Sequence, residues 1–372
     1  MRIGIDARLY GREGRGLGRY ISQLLLHLET IDHENEYVVF LTKKGFAEYK
    51  LTGENFTKVF CDIPWYGWRE QMALPRAIER EQCDIMHFPH FNIPVWYHGK
   101  FVVTIHDFIL YDFPTIRATT RSALTFWVKY AAYRFVFWSA IQRAQHIFVP
   151  SMYVRDRLQY HYPSVGEAKV TVTMEAAMPT RMPLVAIRGI LVSDYVLVVG
   201  SAYPHKNLEA LTQAFNLMRS DLVKLIIVGK KDYFMRRLGN LMRSDLVRFV
   251  GEVGDGELAW LYANAKAVVV VSCEEGFGLP GVEAMRHGTP VIASDRSSLP
   301  EVLSQYDEVR PPAGVRTSLV CYVNPYDVHD ITRVLREVFS LQRSLLRIKE
   351  DGPHTSWQEL SQATKAVYES LG

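Results

Sequence analysis

Short runs of Val, Ile and Phe recur along the chain between stretches of helical periodicity. In the first half they fall at Tyr37–Leu41, Ile85–Phe88, Phe101–Ile105 and Ile147–Val149, and the opening Met1–Asp6 also reads as a strand. The alternation returns at Tyr195–Val199, Leu225–Val228, Ala267–Val271 and Val291–Ala293, with helical patterns around Leu208–Met218 and Leu258–Ala263. Runs that are apolar at every position, rather than at every second one, predict strands buried on both faces of a parallel sheet. Parallel strands need crossovers, which are right-handed and place helices on both faces. The pattern predicts an α/β chain of two doubly wound, Rossmann-like domains facing a cleft. Met178–Pro183, with two prolines around a polar Thr-Arg pair, predicts the linker. The first domain is expected over 1–180 and the second over 181–352.

Composition narrows the classes. The 372 residues suit two domains, and 48% apolar with 22% charged residues is ordinary for a globular chain. A net charge of +3 gives no reason to expect a nucleic-acid partner. The four cysteines lie far apart without a C-x-x-C pair, which fits a reducing, cytoplasmic setting. No signal peptide is expected, and Lys129 and Arg134 interrupt the most apolar stretch, Leu124–Ile141, so no spanning helix is expected either. Phe113–Arg155 contains no Asp after position 112 and no Glu, yet interleaves six Lys and Arg with aromatics. It predicts a long helix packed within the first domain, with an anionic membrane surface at the inner face of the membrane as the alternative.

Ligands of doubly wound sheets collect at the carboxyl ends of strands. After Ala267–Val271 comes Ser272-Cys273-Glu274-Glu275-Gly276-Phe277-Gly278-Leu279-Pro280-Gly281-Val282-Glu283, a glycine-bearing loop running into a helix with Pro280 near its start. Gly276 and Gly278 admit close approach of a ligand, the helix N-terminus offers N–H groups to a diphosphate, and Glu275 and Glu283 suit sugar hydroxyls. After Tyr195–Val199 comes Gly200-Ser201-Ala202-Tyr203-Pro204-His205-Lys206-Asn207, where a lysine just before a helix opposes the macrodipole unless an anion lies there. In the first domain, Phe101–Ile105 ends at His106-Asp107, where a histidine can exchange a hydrogen bond with a sugar and Asp107 could orient it or hold a hydroxyl. His87 and His90, without metal-ligand spacing, read as lining or packing. The glycines from Gly11 to Gly18 approach a dinucleotide fingerprint, but Arg19 stands where the third glycine is required, which weighs against an NAD-dependent oxidoreductase.

These residues resemble those of family 4 (group 1) retaining glycosyltransferases of the GT-B fold, mannosyltransferase-like. Glu275 to Glu283 matches the E-x7-E motif in its EGFGLP context. The likeness continues through Glu283–Ile292, Ser298–Val302, Gly200-Ser201, Lys206-Asn207, Phe249–Gly251, Leu258–Ala265, Gly16–Tyr20, Thr104–Asp107 and Pro150-Ser151. The resemblance implies that Glu283 holds the donor ribose and Glu275 the transferred sugar. Gly276, Phe277, Gly278 and Leu279 would lie against sugar and diphosphate, beside Gly200, Ser201 and His205. Lys206 would neutralise the leaving diphosphate in place of a metal ion, His106 would orient the sugar, and Gly16 would let the first loop near the phosphates. Arg15, Asp107 and Ser151 fall on the acceptor side. His205 stands where mannosyl-type enzymes carry arginine, and would supply a pH-dependent charge or leave compensation to another basic residue. The last helix, within 353–372, would return to the first domain.

The expected activity is transfer of a hexose, mannose from GDP-mannose first, from a nucleoside-diphosphate sugar to a hydroxyl of a sugar or lipid-linked sugar acceptor. It would need no metal or other cofactor and would serve polysaccharide or glycolipid assembly. The alternative is a sugar-nucleotide binding protein without catalysis.

Overall fold

In the computed structural model, which describes residues 1–11, 14–119, 122–177, 183–190, 195–218, 224–239, 247–306, 319–340 and 356–372, the apolar runs pair as parallel strands. The chain divides into two compact units, Met1–Tyr111 with Arg121–Glu175 and Thr355–Gly372, and Asp112–Thr120 with Ala176–His354. Residues 178–182 of the expected linker lie outside the described residues.

The first unit runs β1 (Arg2–Asp6), α1 (Arg15–Ile31), β2 (Glu36–Leu41), α2 (Lys43–Glu48), β3 (Phe56–Phe60), α3 (Trp68–Arg80), β4 (Ile85–Phe88), β5 (Phe101–Thr104), α4 (Ile109–Asp112), α5 (Ala123–Arg143), β6 (His146–Val149), α6 (Met152–His161) and β7 (Val170–Val172). Among the described residues its sheet has the order β3-β2-β1-β4-β5-β6-β7. The second unit runs β8 (Tyr195–Val199), α7 (Leu208–Met218), β9 (Lys224–Val228), α8 (Tyr233–Gly239), β10 (Val247–Gly251), α9 (Asp255–Asn264), β11 (Ala267–Val270), α10 (Leu279–Arg286), β12 (Val291–Ser294), α11 (Leu299–Ser304), β13 (Val320–Val323) and α12 (Val328–Ser340). Its strand order is β10-β9-β8-β11-β12-β13. Both sheets reverse direction once, between β1 and β4 and between β8 and β11, and the crossovers leave the sheet to opposite sides at those points.

Every interior strand corresponds to an apolar run in the sequence. Among the described residues, the strands the runs do not announce, β3, β7, β10 and β13, are those at the sheet edges. An edge strand has a flank open to solvent, so Phe56–Phe60 and Val247–Gly251 mix exposed and half-buried positions and lose the continuous apolar signature. Asp112–Thr120 groups with the second unit rather than with the 1–180 block that contains it, and there Arg117 binds Glu209 with 2.8 and 2.6 Å contacts to its two carboxylate oxygens. The expectation that α5 packs as an ordinary internal helix holds on one side only. Phe126, Phe137, Ala140 and Ile141 are buried, but Leu124, Trp127, Val128, Phe135 and Trp138 face solvent. Among the described residues, no helix is long and apolar enough to cross a membrane.

The final helix, α13 (Trp357–Ser370), belongs to the first unit and packs on α1. Ser356 and Glu359 form a reciprocal capping box at its start. Trp357, 3% exposed, lies edge-on to Tyr20 at 6.3 Å, and Tyr368 meets His87 Nδ1 at 2.5 Å. Trp357→Ala should lower the unfolding free energy of the first unit by about 3–5 kcal/mol, through lost burial and the cavity left behind. Urea titration checks this, and a loss under about 1 kcal/mol would mean that α13 is not part of the cooperative core.

Candidate active site

The most chemically loaded loops follow β8 and β11, the pair at which the second sheet reverses order. After β8 the chain passes Gly200 at φ 138°, a value side-chain-bearing residues rarely adopt, and the half-buried Ser201. It then makes a single turn over Pro204–Lys206 and reverses at Asn207, φ 57°, before α7. The Asn207 amide donates to the carbonyls of Val271 and Pro325, at 3.2 and 2.6 Å, and the Cys273 N–H donates to the His205 carbonyl at 2.7 Å. The two loops are thus tied together through their backbones.

Lys206 Nζ donates to Glu275 Oε1 at 2.5 Å, and the Ser272 hydroxyl donates to the same oxygen at 2.7 Å. The Glu275 N–H donates to Ser297 Oγ at 3.2 Å, and Ser298 Oγ donates to the Glu275 carbonyl at 2.9 Å. Burial alone would raise the Glu275 carboxyl, but the charge and hydrogen bond of Lys206, with Ser272, hold it below the usual carboxylate range. Gly276, Phe277 and Gly278 are buried, and Leu279 is half-buried. Gly278 precedes α10 in the left-handed region at φ 94°, and a Cβ there would meet Leu299 Cδ2 at 2.4 Å, so both backbone and packing exclude a larger residue. On α10, Glu283 is 6% exposed and accepts from the Tyr262 hydroxyl at 2.7 Å. The second unit therefore gathers Lys206, Glu275 and the glycine segment at one strand-end crevice, with Glu283 on the helix that leaves it.

His205 does not supply the expected charge. Burial, and then the adjacent Lys206, push its imidazole down to about 4, so it is neutral at neutral pH. Its ring lies parallel to Tyr203, with centroids 6.1 Å apart.

In the first unit, His106 is edge-on to Tyr20 at 4.8 Å, with Nδ1 3.1 Å from Glu175 Oε1 and Nε2 3.0 Å from the Pro89 carbonyl. Both ring nitrogens face oxygen atoms, which fixes the plane of the ring between Glu175 and the Pro89 carbonyl. Glu175, not Asp107, orients the ring. Asp107 instead accepts from the Ile109 N–H at 2.9 Å, turning the chain into α4. The acceptor-side expectation for Ser151 fails, because Ser151 is 0% exposed and caps α6 by accepting from the Val154 N–H at 3.2 Å. The Arg15 side chain lies outside the described residues. Gly16 is exposed with open space where a Cβ would sit, whereas the same atom on Gly18 would lie 2.0 Å from the Gly11 carbonyl oxygen. Gly18 is thus required by close packing against the Gly11 backbone, and Gly16 is not held by any such contact.

Residue patterns did not single out Ser272, Ser297, Tyr262 or Glu175. They also missed a buried cluster at the reversal between β1 and β4. There Arg8, 1% exposed, bonds both oxygens of Asp6 at 2.8 Å and Glu70 at 2.7 Å, and Asn92 Nδ2 reaches the same Glu70 oxygen at 2.8 Å. The Tyr66 N–H donates to the other Glu70 oxygen at 2.7 Å, with Tyr66 in the left-handed region at φ 60°. His90 adjoins this cluster and is pushed down to about 3 by burial and the nearby His106. A Cys, His or carboxylate spacing rule finds no arginine of this kind. The available signal was its position two residues beyond a buried strand.

Two parallel α/β units of this topology, one presenting a lysine–glutamate pair and a glycine-led helix at its reversal point, define a GT-B glycosyltransferase. The family described as "Glycosyl transferases group 1" matches residues 191–355 and "Glycosyltransferase Family 4" matches residues 14–173. The chain belongs to the group 1, family 4 glycosyltransferases. It is 25% identical over 350 residues to the O-antigen chain mannosyltransferase RfbU of Salmonella typhimurium, covering 91% of each chain. It is 36% identical over 128 residues to O-antigen chain mannosyltransferase B of Escherichia coli, covering 32% of this chain and 34% of that one. The fold is similar to that of sucrose-phosphate synthase from Thermosynechococcus elongatus, with a TM-score of 0.71, 16% identity and coverage of 100% and 99%.

Because the folded-state pKa of His205 lies below its ordinary 6.5, the unfolded chain binds more protons between 6.5 and about 4, and stability falls as pH falls through that window. His205→Gln should flatten this part of the stability profile relative to the wild-type protein while leaving the backbone bond from Cys273 in place. Urea midpoints measured from pH 7 to 4 check it. Parallel curves would place the imidazole in water.

Proposed function

We propose that this glycosyltransferase moves mannose from GDP-mannose to a hydroxyl of a saccharide or lipid-linked saccharide, with retention at the anomeric carbon and without a metal ion, in polysaccharide or glycolipid assembly. The observation that carries the reading is the Lys206–Glu275 pair at the reversal point of the second sheet. Lys206 is 22% exposed and Glu275 9% exposed in their side chains, so both can trade their mutual contact for a ligand. Mannose is supported by the O-antigen mannosyltransferases among the relatives.

In this reading the bond from the anomeric carbon to the diphosphate oxygen breaks with its electron pair leaving on the diphosphate. Lys206 and the N–H groups at the start of α10 meet that growing charge, an interaction that strengthens toward the transition state and so lowers the barrier. The acceptor oxygen forms the new bond on the face the diphosphate leaves, and its proton passes to the departing phosphate oxygen. Glu275 accepts from hydroxyls of the transferred sugar, and Glu283 from the ribose. His106, steadied by Glu175, would donate Nε2–H to a sugar hydroxyl in place of the Pro89 carbonyl.

The test is incubation with GDP-, UDP- and ADP-sugars in excess EDTA, with the product anomer read by NMR. Retained configuration from GDP-mannose with EDTA present is the expected result. An inverted product, abolition by EDTA restored by magnesium, or preference for another donor would each overturn its part of the proposal, and binding without transfer to any acceptor would return the protein to a sugar-nucleotide binder. Glu275→Gln separates the roles further. Removing the carboxylate charge releases Lys206, so GDP should bind as tightly or more tightly while kcat falls by about 100-fold or more. Loss of GDP affinity in parallel with kcat would mean that Glu275 holds the nucleotide and not the sugar.

A further inference from the structure

We propose that the outward face of α5, together with the start of α3 and the Pro89–Lys100 loop, is a docking surface for an anionic lipid bilayer. Along α5 the exposed positions Leu124, Trp127, Val128, Ala131, Phe135 and Trp138 follow the first by 3, 4, 7, 11 and 14 residues, one stripe of a helix. Their exposure is high for such large side chains: Leu124 76%, Val128 63%, Phe135 55%, Trp138 50% and Trp127 49%. The opposite side of the same helix already supplies Phe126, Phe137, Ala140 and Ile141 to the core. The outward stripe is therefore surplus to folding, and a soluble surface seldom keeps so continuous an apolar patch.

The patch extends beyond α5. Arg143, in its last turn, donates to the carbonyls of Val95 and Tyr97, which flank Trp96, itself 48% exposed. Trp96 lies 6.1 Å from Trp68, 77% exposed at the start of α3, and Gln71 of α3 accepts from the Val95 N–H at 2.7 Å. Met72 continues the exposed edge of α3. Trp127 and Trp138 are eleven residues apart, about 17 Å at the helical rise, so the indoles spread over a surface rather than filling one groove.

Charge selects the occupant. From Ile85 to His106 and from Phe113 to Arg155 there is no Asp or Glu, and between Trp65 and Ile78 the one acid, Glu70, is buried against Arg8. Arg69, Arg76, Lys100 and Lys129 of the same segments are exposed. Tryptophans at headgroup depth with a cationic rim fit a negatively charged interface. A second copy of the chain fits less well, because a twofold contact would set this rim against itself.

The test is co-sedimentation of the full chain with phosphatidylcholine vesicles, with and without about 30% phosphatidylglycerol, at low and high salt, alongside its mass in solution. Binding to the anionic vesicles at low salt, weakened about tenfold or more in about 0.5 M salt, is expected from screening and the loss of cation attraction. The triple variant Trp127→Ser, Phe135→Ser, Trp138→Ser should lose about tenfold or more in vesicle affinity with its urea midpoint unchanged, since its positions do not pack in the core. Trp68→Ser with Trp96→Ser gives an independent check on the other side of the patch. Absence of binding to anionic vesicles, binding that ignores both sets of substitutions, or a dimer that the triple variant converts to monomer would overturn the proposal.

Discussion

A parallel sheet that reverses its strand order cannot cover the point of reversal with its own crossovers, because the two connections leave on opposite sides. The crevice left there must be closed by loop atoms or by a ligand. In the second unit the reversal falls between β8 and β11, whose registered residues are Val196 with Ala267 and Leu197 with Val268. The loops that leave those strands are sewn together by Asn207, by the Cys273 N–H and by Lys206, and the Pro204–Lys206 turn and Glu275 take their positions from that seam. The first unit solves the same problem between β1 and β4 with Arg8, Asp6, Glu70 and Asn92.

The two solutions differ in what they can release. Arg8, Asp6 and Glu70 are 1%, 10% and 0% exposed in their side chains, and Arg8 is bonded to both acids. Removing one partner would strand a buried charge, a loss of about 3–5 kcal/mol, so this cluster acts as a fixed floor. Lys206, 22% exposed in its side chain, lies nearer the surface, while Glu275 at 9% is as buried as Asp6 and is bonded by Ser272 as well as by Lys206. The lysine end of this pair can be hydrated when it parts from Glu275, so parting the two costs less than breaking the Arg8 cluster.

Residue patterns revealed what depends on continuous burial or on unusual residue types at strand ends. The interior strands, Glu275, Glu283, Lys206 and the glycines between them were all visible in that way. The edge strands were not, because half their positions face solvent. The Lys206–Glu275 contact joins residues 69 apart, and nothing local encodes it, since it depends on β11 lying beside β8. Ser151, and Asp107 in its expected role of orienting His106, were misread for a common reason. A short polar side chain just after a strand serves as readily to start the next helix as to meet a ligand, and only its hydrogen-bond partner separates the two roles. In α5, aromatic residues were taken as core because most aromatics are, while the helix is apolar around most of its circumference.

The end of the chain completes the argument for the first unit. Tyr368 of α13 meets His87 Nδ1 at 2.5 Å, His87 Nε2 lies 2.8 Å from Thr104 Oγ1, and Thr104 Oγ1 lies 3.1 Å from the Tyr20 hydroxyl. Burial, with the nearby His106, pushes His87 down to about 3, so the imidazole is neutral and can donate at one nitrogen while accepting at the other. The Tyr20 ring, pressed by Trp357 from α13, is the surface against which His106 stands. A neutral, fully bonded chain of this kind adds no charge behind His106, whose own partners are Glu175 and the Pro89 carbonyl. The last helix is therefore part of what orients His106, at one remove, through the packed side chains of α1 and the ends of β4 and β5.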